Sequence, residues 1–394
     1  MNVKKNLLIC TSVLQVLNYL SSLRKLKKKE ETFYNYIILI HPSLDDNNKV
    51  KLIISKYCQI YNITLLDLTN IGKKYQKIIA DLNLRSIKFS FKHKINLFEE
   101  EVLKLKNEYL KIFKNKIGKV DNIFIRKSYK KLDIFFYRSI SNNFKTYIID
   151  DGMGDYLDPY WHFKNLIFYE IKHSLKNVIN KFVFFILFTF YAKNKNSFIL
   201  FDSKIDAYKY HFTNINSKKT NSSILIKDDF KHITNYIFNK SETKKLSPKI
   251  LILGSLIGED PEIYNCLYTD DKIKIYNQII LKIKRDFSVD KKDIWYLPHP
   301  RLSLKTHDIL TSKLNCSLYN YNTYSTAEVE FCNNSIEAIY SITSTSLLYS
   351  KLIYNIDSTY INIQSLSHKS HPTAFKKSHK IYKALNFNEI KYEL

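Results

Sequence analysis

Glycine, cysteine and acidic side chains are all scarce in this sequence. It contains 6 glycines, 5 cysteines and 37 Asp and Glu against 62 Lys and Arg. The cysteines show no CxxC spacing, which argues against a disulfide framework or a zinc site and favours a reducing compartment, the cytoplasm. The formal charge of +25 indicates a polyanionic partner, such as a nucleotide, an acidic glycan, nucleic acid or an anionic membrane face, unless the Lys excess is only chain-wide composition.

Several familiar sequence signals are also missing. There is no Walker A motif, GxGxxG or HExxH, so ATPase, Rossmann dehydrogenase and zinc protease readings lose their usual support. The N-terminal segment has a basic start, but polar residues interrupt it and no cleavage site follows, which predicts a strand and a helix, not a signal peptide. The apolar stretch Phe182–Ala192 has 11 residues, whereas a membrane-spanning helix needs about 20.

Short apolar runs alternate with amphipathic segments along the whole chain. The run Asn6–Cys10 suits a strand buried on both faces, and Leu14–Leu26 has helical spacing. The pattern predicts an α/β protein with two Rossmann-like domains that face a central cleft. Further strands are expected at Tyr36–Ile40, Ile63–Leu68, Asn122–Ile125, Tyr147–Ile149, Ser197–Phe201, Lys249–Leu253, Asp293–Leu297, Ile336–Ile342 and Thr359–Ile363.

The predicted domains are residues 1–158 and 197–394, joined by an aromatic, basic bridge at 159–196. The bridge suits either a buried helix between the domains or a surface that rests on a membrane.

Carboxylates and a glycine follow one of these strands in the sequence YIIDDGMGDY. Side chains alternate along a strand, so only one of Asp150 and Asp151 should enter the cleft while the other supports it. Gly152 permits a tight exit and a close approach of the backbone to a ligand. A paired, partly desolvated carboxylate suits a general base, although Asp-Gly is also a common turn. Asp260, or its neighbour Glu259, is the reserve catalytic carboxylate.

The stretch DIWYLPHPR places His299, Pro300 and Arg301 after a second apolar strand. The imidazole and the guanidinium can both meet an anion, and the proline restrains the backbone between them.

Hydroxyl side chains stand where a third strand gives way to a helix. Ser344, Thr345 and Ser346 suit either a phosphate site or a simple helix cap. Upstream, Glu328 is either a carboxylate that accepts bonds from vicinal sugar hydroxyls or a solvated helix residue.

With these elements in order, the chain resembles bacterial sialyltransferases of the two-lobed GT-B type, particularly the lipooligosaccharide sialyltransferase family and its polysialyltransferase relatives. Four stretches carry the resemblance. They are LLICTSVLQVLNYL, which looks like the first strand and helix, IDDGMGDY, which looks like the acidic motif, LPHPR, which looks like the His-Pro motif, and STS, which looks like the paired-hydroxyl motif.

The resemblance implies an inverting transfer of sialic acid from the donor CMP-sialic acid, with no obligatory cofactor or metal. It gives the role of base to Asp150 or Asp151 and contact with the departing phosphate to His299. The hydroxyls of Ser344–Ser346 would hold that phosphate and Glu328 the ribose or base. The front domain would then lie on the acceptor side and the rear domain would bind the CMP-sugar.

The expected acceptor is a cell-surface glycan, lipooligosaccharide or capsule, that is lipid-linked. The expected location is cytoplasmic, with peripheral contact at the inner face of the bacterial membrane, and the oligomeric state stays open. The alternatives are a GT-B transferase that uses another activated sugar or a polyol phosphate, and a basic nucleic-acid-binding protein. Against the last, the sequence has no RRM signature, zinc finger or basic helix.

Overall fold

The structure is a computed structural model. It describes residues 3–26, 32–40, 49–84, 91–126, 136, 140, 144–149, 207–211, 223–254, 269–300, 302, 304–323, 325–342, 344–363, 379, 381–383 and 385–392.

Seven of the described strands form a first sheet in which every neighbouring pair is parallel. Its spatial order is β3-β2-β1-β4-β5-β6-β7, so the order reverses between β1 and β4, as in Rossmann-like sheets. The strands are β1 (Val3–Cys10), β2 (Thr32–Leu39), β3 (Thr64–Asp67), β4 (Asn122–Arg126), β5 (Lys145–Ile149), β6 (Ala207–His211) and β7 (Ser223–Leu225).

Helices connect β1, β2, β3 and β4 in chain order, as crossover connections between parallel strands require. They are α1 (Val13–Leu26), α2 (Lys49–Ile60), α3 (Thr69–Leu84) and α4 (Phe91–Lys116). The core contains the apolar run of β1, where Leu7, Leu8 and Cys10 are fully buried. A run of buried side chains on both faces is the pattern of a central parallel strand, so the predicted strand and helix at the N-terminus are confirmed.

A second sheet contains six described strands, again all parallel. Its order is β10-β9-β8-β11-β12-β13, which repeats the Rossmann-like arrangement with the switch point between β8 and β11. The strands are β8 (Ile250–Leu253), β9 (Ile294–Leu297), β10 (Ser317–Leu318), β11 (Ala338–Ser341), β12 (Asp357–Asn362) and β13 (Asn388–Lys391).

Two short helices of this part carry candidate site residues. The helices are α5 (Lys227–Asn239), α6 (Thr269–Phe287), α7 (Leu304–Lys313), α8 (Ala327–Glu330) and α9 (Thr345–Leu352). Within the described residues, no helix is long and apolar enough to cross a bilayer.

The contacts divide the chain into two compact units. The first unit is Met1–Asp46 with Cys58–Ile226, and the second is Asn47–Tyr57 with Lys227–Leu394. The two sheets confirm the α/β class with two Rossmann-like units. The main part of the second unit, Lys227–Leu394, starts later than the predicted 197 because β6 and β7 pair in the first sheet.

The bridge predicted at 159–196 and the strand predicted at Ser197–Phe201 lie outside the described residues. The segment Asn47–Tyr57 belongs to the second unit by its contacts, a placement that its local sequence pattern does not indicate.

Candidate active site

The carboxyl edge of the second sheet brings together residues that are distant in sequence. Gly254 follows β8, His299 lies two residues after β9, and Ser344 lies beyond β11. Because these strands are parallel, their carboxyl ends meet at one edge, and the switch point of such a sheet is where ligands bind. His299 and the hydroxyl cluster therefore share an edge, as the sequence pattern predicted.

Gly254 occupies a position where a side chain has no room. Its backbone N–H donates to the Leu297 carbonyl at 2.8 Å. A Cβ atom here would lie 2.8 Å from the backbone nitrogen of His299 and 2.7 Å from the Tyr296 hydroxyl. Glycine is needed because the backbone of the next strand end approaches so closely. Sequence reasoning missed this role, although a glycine directly after a strand was a usable signal.

A short turn holds His299 at the end of β9. The carbonyl of His299 accepts from the backbone N–H of Leu302 at 2.9 Å, and the Leu302 side chain is buried in the core. The imidazole and Pro300 are half-buried. The core thus anchors the turn on one side while the imidazole keeps access to the edge of the sheet.

Ser344 begins α9 as its N-cap. Its hydroxyl accepts from the backbone N–H of Ser346 at 3.2 Å, so Ser344 caps the helix, and a phosphate site at this motif stays a prediction. The Tyr382 hydroxyl contacts the Ser344 backbone twice: it accepts from the N–H at 3.1 Å and donates to the carbonyl at 2.8 Å. Sequence reasoning missed Tyr382, because only folding brings it to this helix start.

Glu328 lies beside this helix start. The Ser346 hydroxyl donates to Oε1 of Glu328 at 2.6 Å, and the Glu328 side chain is buried. Burial raises the pKa of Glu328, while hydrogen bonds from Ser346 and Thr326 work in the opposite direction. The solvated-residue interpretation is therefore wrong: Glu328 is a buried group aimed at the hydroxyl motif.

A second buried carboxylate, Glu330, lies on the same turn and was not singled out from the sequence. Its pKa is raised to about 7, chiefly by burial, whereas bonds from Ser325 and Thr243 and the charges of Lys49 and Lys56 lower it. A carboxyl pKa near neutrality shows that hydrogen bonds and nearby positive charges offset only part of the effect of burial.

The structure leaves several predicted site residues untested. Those outside the described residues are Asp150, Asp151, Gly152, Asp260 and Arg301. The placement of the acidic motif opposite His299 therefore stays a prediction.

The arrangement at this edge suits a ligand that combines an anion with neighbouring hydroxyls. The N-terminus of α9 presents a positive dipole end to an anion. The Glu328 carboxylate can accept bonds from hydroxyls. Across the described residues, no group of three or more His, Cys, Asp or Glu is placed to hold a metal ion. A nucleotide has both features, so the second unit is a Rossmann-like unit suited to nucleotides.

The family model for alpha-2,8-polysialyltransferases matches residues 6–362. The match covers both sheets through β12, and the chain belongs to the alpha-2,8-polysialyltransferase family. The protein is therefore a glycosyltransferase of a sialyltransferase family. The predicted resemblance to sialyltransferases is confirmed.

Solved structures that are similar to this chain include the following three. The glycosyltransferase SnogD from Streptomyces nogalater has 8% identity and a TM-score of 0.49, covering 99% of this chain and 87% of that one. The GT-B domain of a Photobacterium damselae sialyltransferase has 10% identity and a TM-score of 0.48, covering 99% and 100%. The UDP co-structure of S. aureus MnaA has 13% identity and a TM-score of 0.46, covering 97% and 88%. The sequence matches no curated protein.

Proposed function

We propose that this protein transfers sialic acid from CMP-sialic acid to a hydroxyl of a cell-surface glycan, with inversion and without an obligatory metal. The observation that carries the proposal is the hydrogen bond from the Ser346 hydroxyl, at the start of α9, to the buried carboxylate of Glu328 on α8. It lies at the sheet edge that also holds His299, and the family membership supports a sialyl donor.

The second unit would bind the CMP part of the donor. Glu328 accepts bonds from the ribose hydroxyls, since its carboxylate is buried and directed at the edge of the sheet. The positive dipole end of α9 and the hydroxyls of Ser344 and Thr345 hold the phosphate. His299 contacts the same phosphate, together with Arg301.

The reaction breaks the bond between C2 of sialic acid and the phosphate oxygen, whose electron pair leaves with CMP. The acceptor oxygen forms the new bond at C2 from the opposite face and gives its proton to Asp150 or Asp151. Negative charge grows on the phosphate as the bond breaks. His299 and the α9 N-terminus stabilise this charge, which is the general form of electrostatic catalysis.

The charge of the whole chain fits these substrates. A formal charge of +25 attracts a nucleotide and an acidic glycan, and it favours peripheral contact with an anionic membrane face that carries a lipid-linked acceptor. The protein would act on the cytoplasmic side. Flotation with anionic and neutral vesicles tests the contact, and equal flotation with both would contradict it.

The nucleotide site is tested by the affinity for CMP. We expect thermal stabilisation by CMP and not by UDP or GDP, and CMP release when CMP-sialic acid and a galactose-terminated or sialylated acceptor are present. Glu328→Gln should weaken CMP binding about tenfold, because one neutral amide oxygen replaces two charged carboxylate oxygens as acceptors for the ribose hydroxyls. Glu108→Gln is the control, since Glu108 is partly exposed on α4 and pairs with Lys74 at 2.8 Å.

Two results would contradict the proposal. Stabilisation by UDP or GDP in place of CMP would show that another activated sugar is the donor. Full activity in both Asp150→Asn and Asp151→Asn would remove the acidic motif from the role of base.

A further inference from the structure

Glu330 is a second carboxylate on the single turn α8, and its side chain is 0% exposed. Residues two apart on a helix point about 200° apart, so Glu330 cannot reach Ser346 alongside Glu328. The two carboxylates of α8 therefore serve different neighbours.

The neighbours of Glu330 fix the entry to α8. Its Oε1 atom accepts from the Thr243 hydroxyl at 3.0 Å and from the Ser325 backbone N–H at 3.2 Å. Ser325 directly precedes Thr326, the N-cap of α8. The carboxylate thus ties the residue before the N-cap to the last residue of the helix, as a capping box does with slightly different spacing.

Tyr57 contacts the same residues that precede α8. Its hydroxyl lies 2.5 Å from the Ser325 hydroxyl and 3.5 Å from the Thr326 hydroxyl. The Tyr57 side chain is fully buried, and Tyr57 ends the segment Asn47–Tyr57 that groups with the second unit. A residue from the first sixty of the sequence therefore fixes a turn that begins after residue 325.

Stability alone does not account for this arrangement. Burial of a carboxylate is costly, and an apolar residue of similar volume often stabilises a fold at least as well. In the described part of the chain, no hydrogen-bond partner reaches the Oε2 atom of Glu330. The short helix α8 also has too few residues to hold its own shape. What the carboxylate supplies is the fixed geometry of α8.

We propose that Glu330 and Tyr57 are positioning residues for nucleotide binding, which hold α8 so that Glu328 stays directed at Ser346 and the ribose. The proposal rests on the proposed function, in which Glu328 binds the ribose of CMP. Neither residue contacts the ligand. Their loss lowers the affinity for the donor and leaves the chemical step nearly unchanged.

The test is the dissociation constant of CMP, measured by calorimetry on the full chain. Tyr57→Phe keeps the buried ring and removes one hydroxyl, and we expect about fivefold weaker binding, the worth of one hydrogen bond. Glu330→Ala should weaken binding about tenfold or more. Glu330→Gln should recover most of that loss, since an amide oxygen can accept the same two bonds. In turnover, the KM for the donor should rise while kcat stays close to that of the wild type.

Tyr109→Phe is the matched control. Tyr109 is a fully buried tyrosine of α4 in the first unit, and no described residue bonds its hydroxyl. Its loss should leave CMP binding unchanged. Equal weakening in Tyr109→Phe and Tyr57→Phe would overturn the proposal, because it would reflect a general loss of packing.

The remaining outcomes separate this inference from the proposed function. Wild-type binding of CMP together with a Tyr57→Phe affinity within about twofold of the wild type, or a fall in kcat in place of a rise in KM, would overturn the inference alone. Tyr57→Phe keeps this outcome measurable even where Glu330→Ala does not fold. A wild-type protein that does not bind CMP would overturn the proposed function, and the inference with it.

Discussion

Gly254 and Glu330 illustrate how single residues serve this site for reasons that their neighbours in sequence do not reveal. Gly254 is required because the backbone nitrogen of His299 would lie 2.8 Å from any Cβ atom. Glu330 is required because its carboxylate joins Thr243 to Ser325. Both reasons depend on contacts between distant parts of the chain.

Burial of Glu330 should appear in the pH dependence of stability. Its pKa is raised from 4.5 to about 7 in the folded chain. Between these values the folded chain binds more protons than the unfolded chain, so the contribution of Glu330 to the free energy of unfolding falls as pH rises. A difference of one pH unit between the two pKa values corresponds to about 1.4 kcal/mol. The loss in the free energy of unfolding is therefore on the order of 3 kcal/mol, and it is complete above about pH 7.

Glu330→Gln removes this contribution and is the variant to measure. The stability of Glu330→Gln relative to the wild type should therefore increase between about pH 5 and pH 7. Chemical unfolding of both proteins at each pH measures this difference. Other titratable groups contribute equally to the stability of both proteins, so their effects cancel in this difference. One is His379, whose pKa is lowered to about 4 by burial, so that its contribution rises with pH over part of the same window. A constant difference across the window would contradict the prediction.

At the scale of elements, α9 depends on a clamp from outside the helix. The Tyr382 hydroxyl bonds both the N–H and the carbonyl of Ser344, and its ring stacks on Tyr360 with centroids 5.2 Å apart. The ring packing and the hydroxyl contacts are separable, because Phe can replace the first and not the second.

Tyr382→Phe should therefore cost about 1–3 kcal/mol in the free energy of unfolding, since the Ser344 N–H and carbonyl each lose a partner. CMP binding should weaken as well, because the start of α9 is no longer held. Urea unfolding and calorimetry measure the two effects. Ser312→Ala is the comparison, because it removes a hydroxyl that donates to a carbonyl on the exposed surface of α7. Tyr382→Phe with wild-type stability and affinity would argue against the clamp.

The elements themselves were predictable to different degrees. The central strands β1, β8 and β11 carry apolar residues on both faces, so composition alone located the bounds of β8 and β11 within two residues and those of β1 within three. The strands β6, β7, β10 and β13 were missed, because they lie toward or at the edges of the sheets, have five residues or fewer, and show no long apolar run.

At the scale of the whole molecule, the charge should govern the encounter with acidic substrates. A charge of +25 speeds the approach of a sialylated acceptor at low salt, and the effect weakens as the Debye length falls from about 30 Å at 0.01 M to about 8 Å at 0.15 M. The value of kcat/KM for a sialylated acceptor should therefore fall with added NaCl. A neutral galactose-terminated acceptor, at saturating donor, should show a much smaller change. Equal salt dependence for both acceptors would contradict the prediction.

The sequence by itself determined the α/β class, the repeated Rossmann-like pattern and the strand-end position of His299 and the Ser344–Ser346 motif. These follow from local periodicity, because a buried parallel strand needs a continuous apolar run and its end is where polar residues resume. Only the tertiary structure decided which other residues contact them. Tyr382, Gly254 and Tyr57 reach the site through pairing and packing across long sequence separations, and no local pattern encodes such contacts.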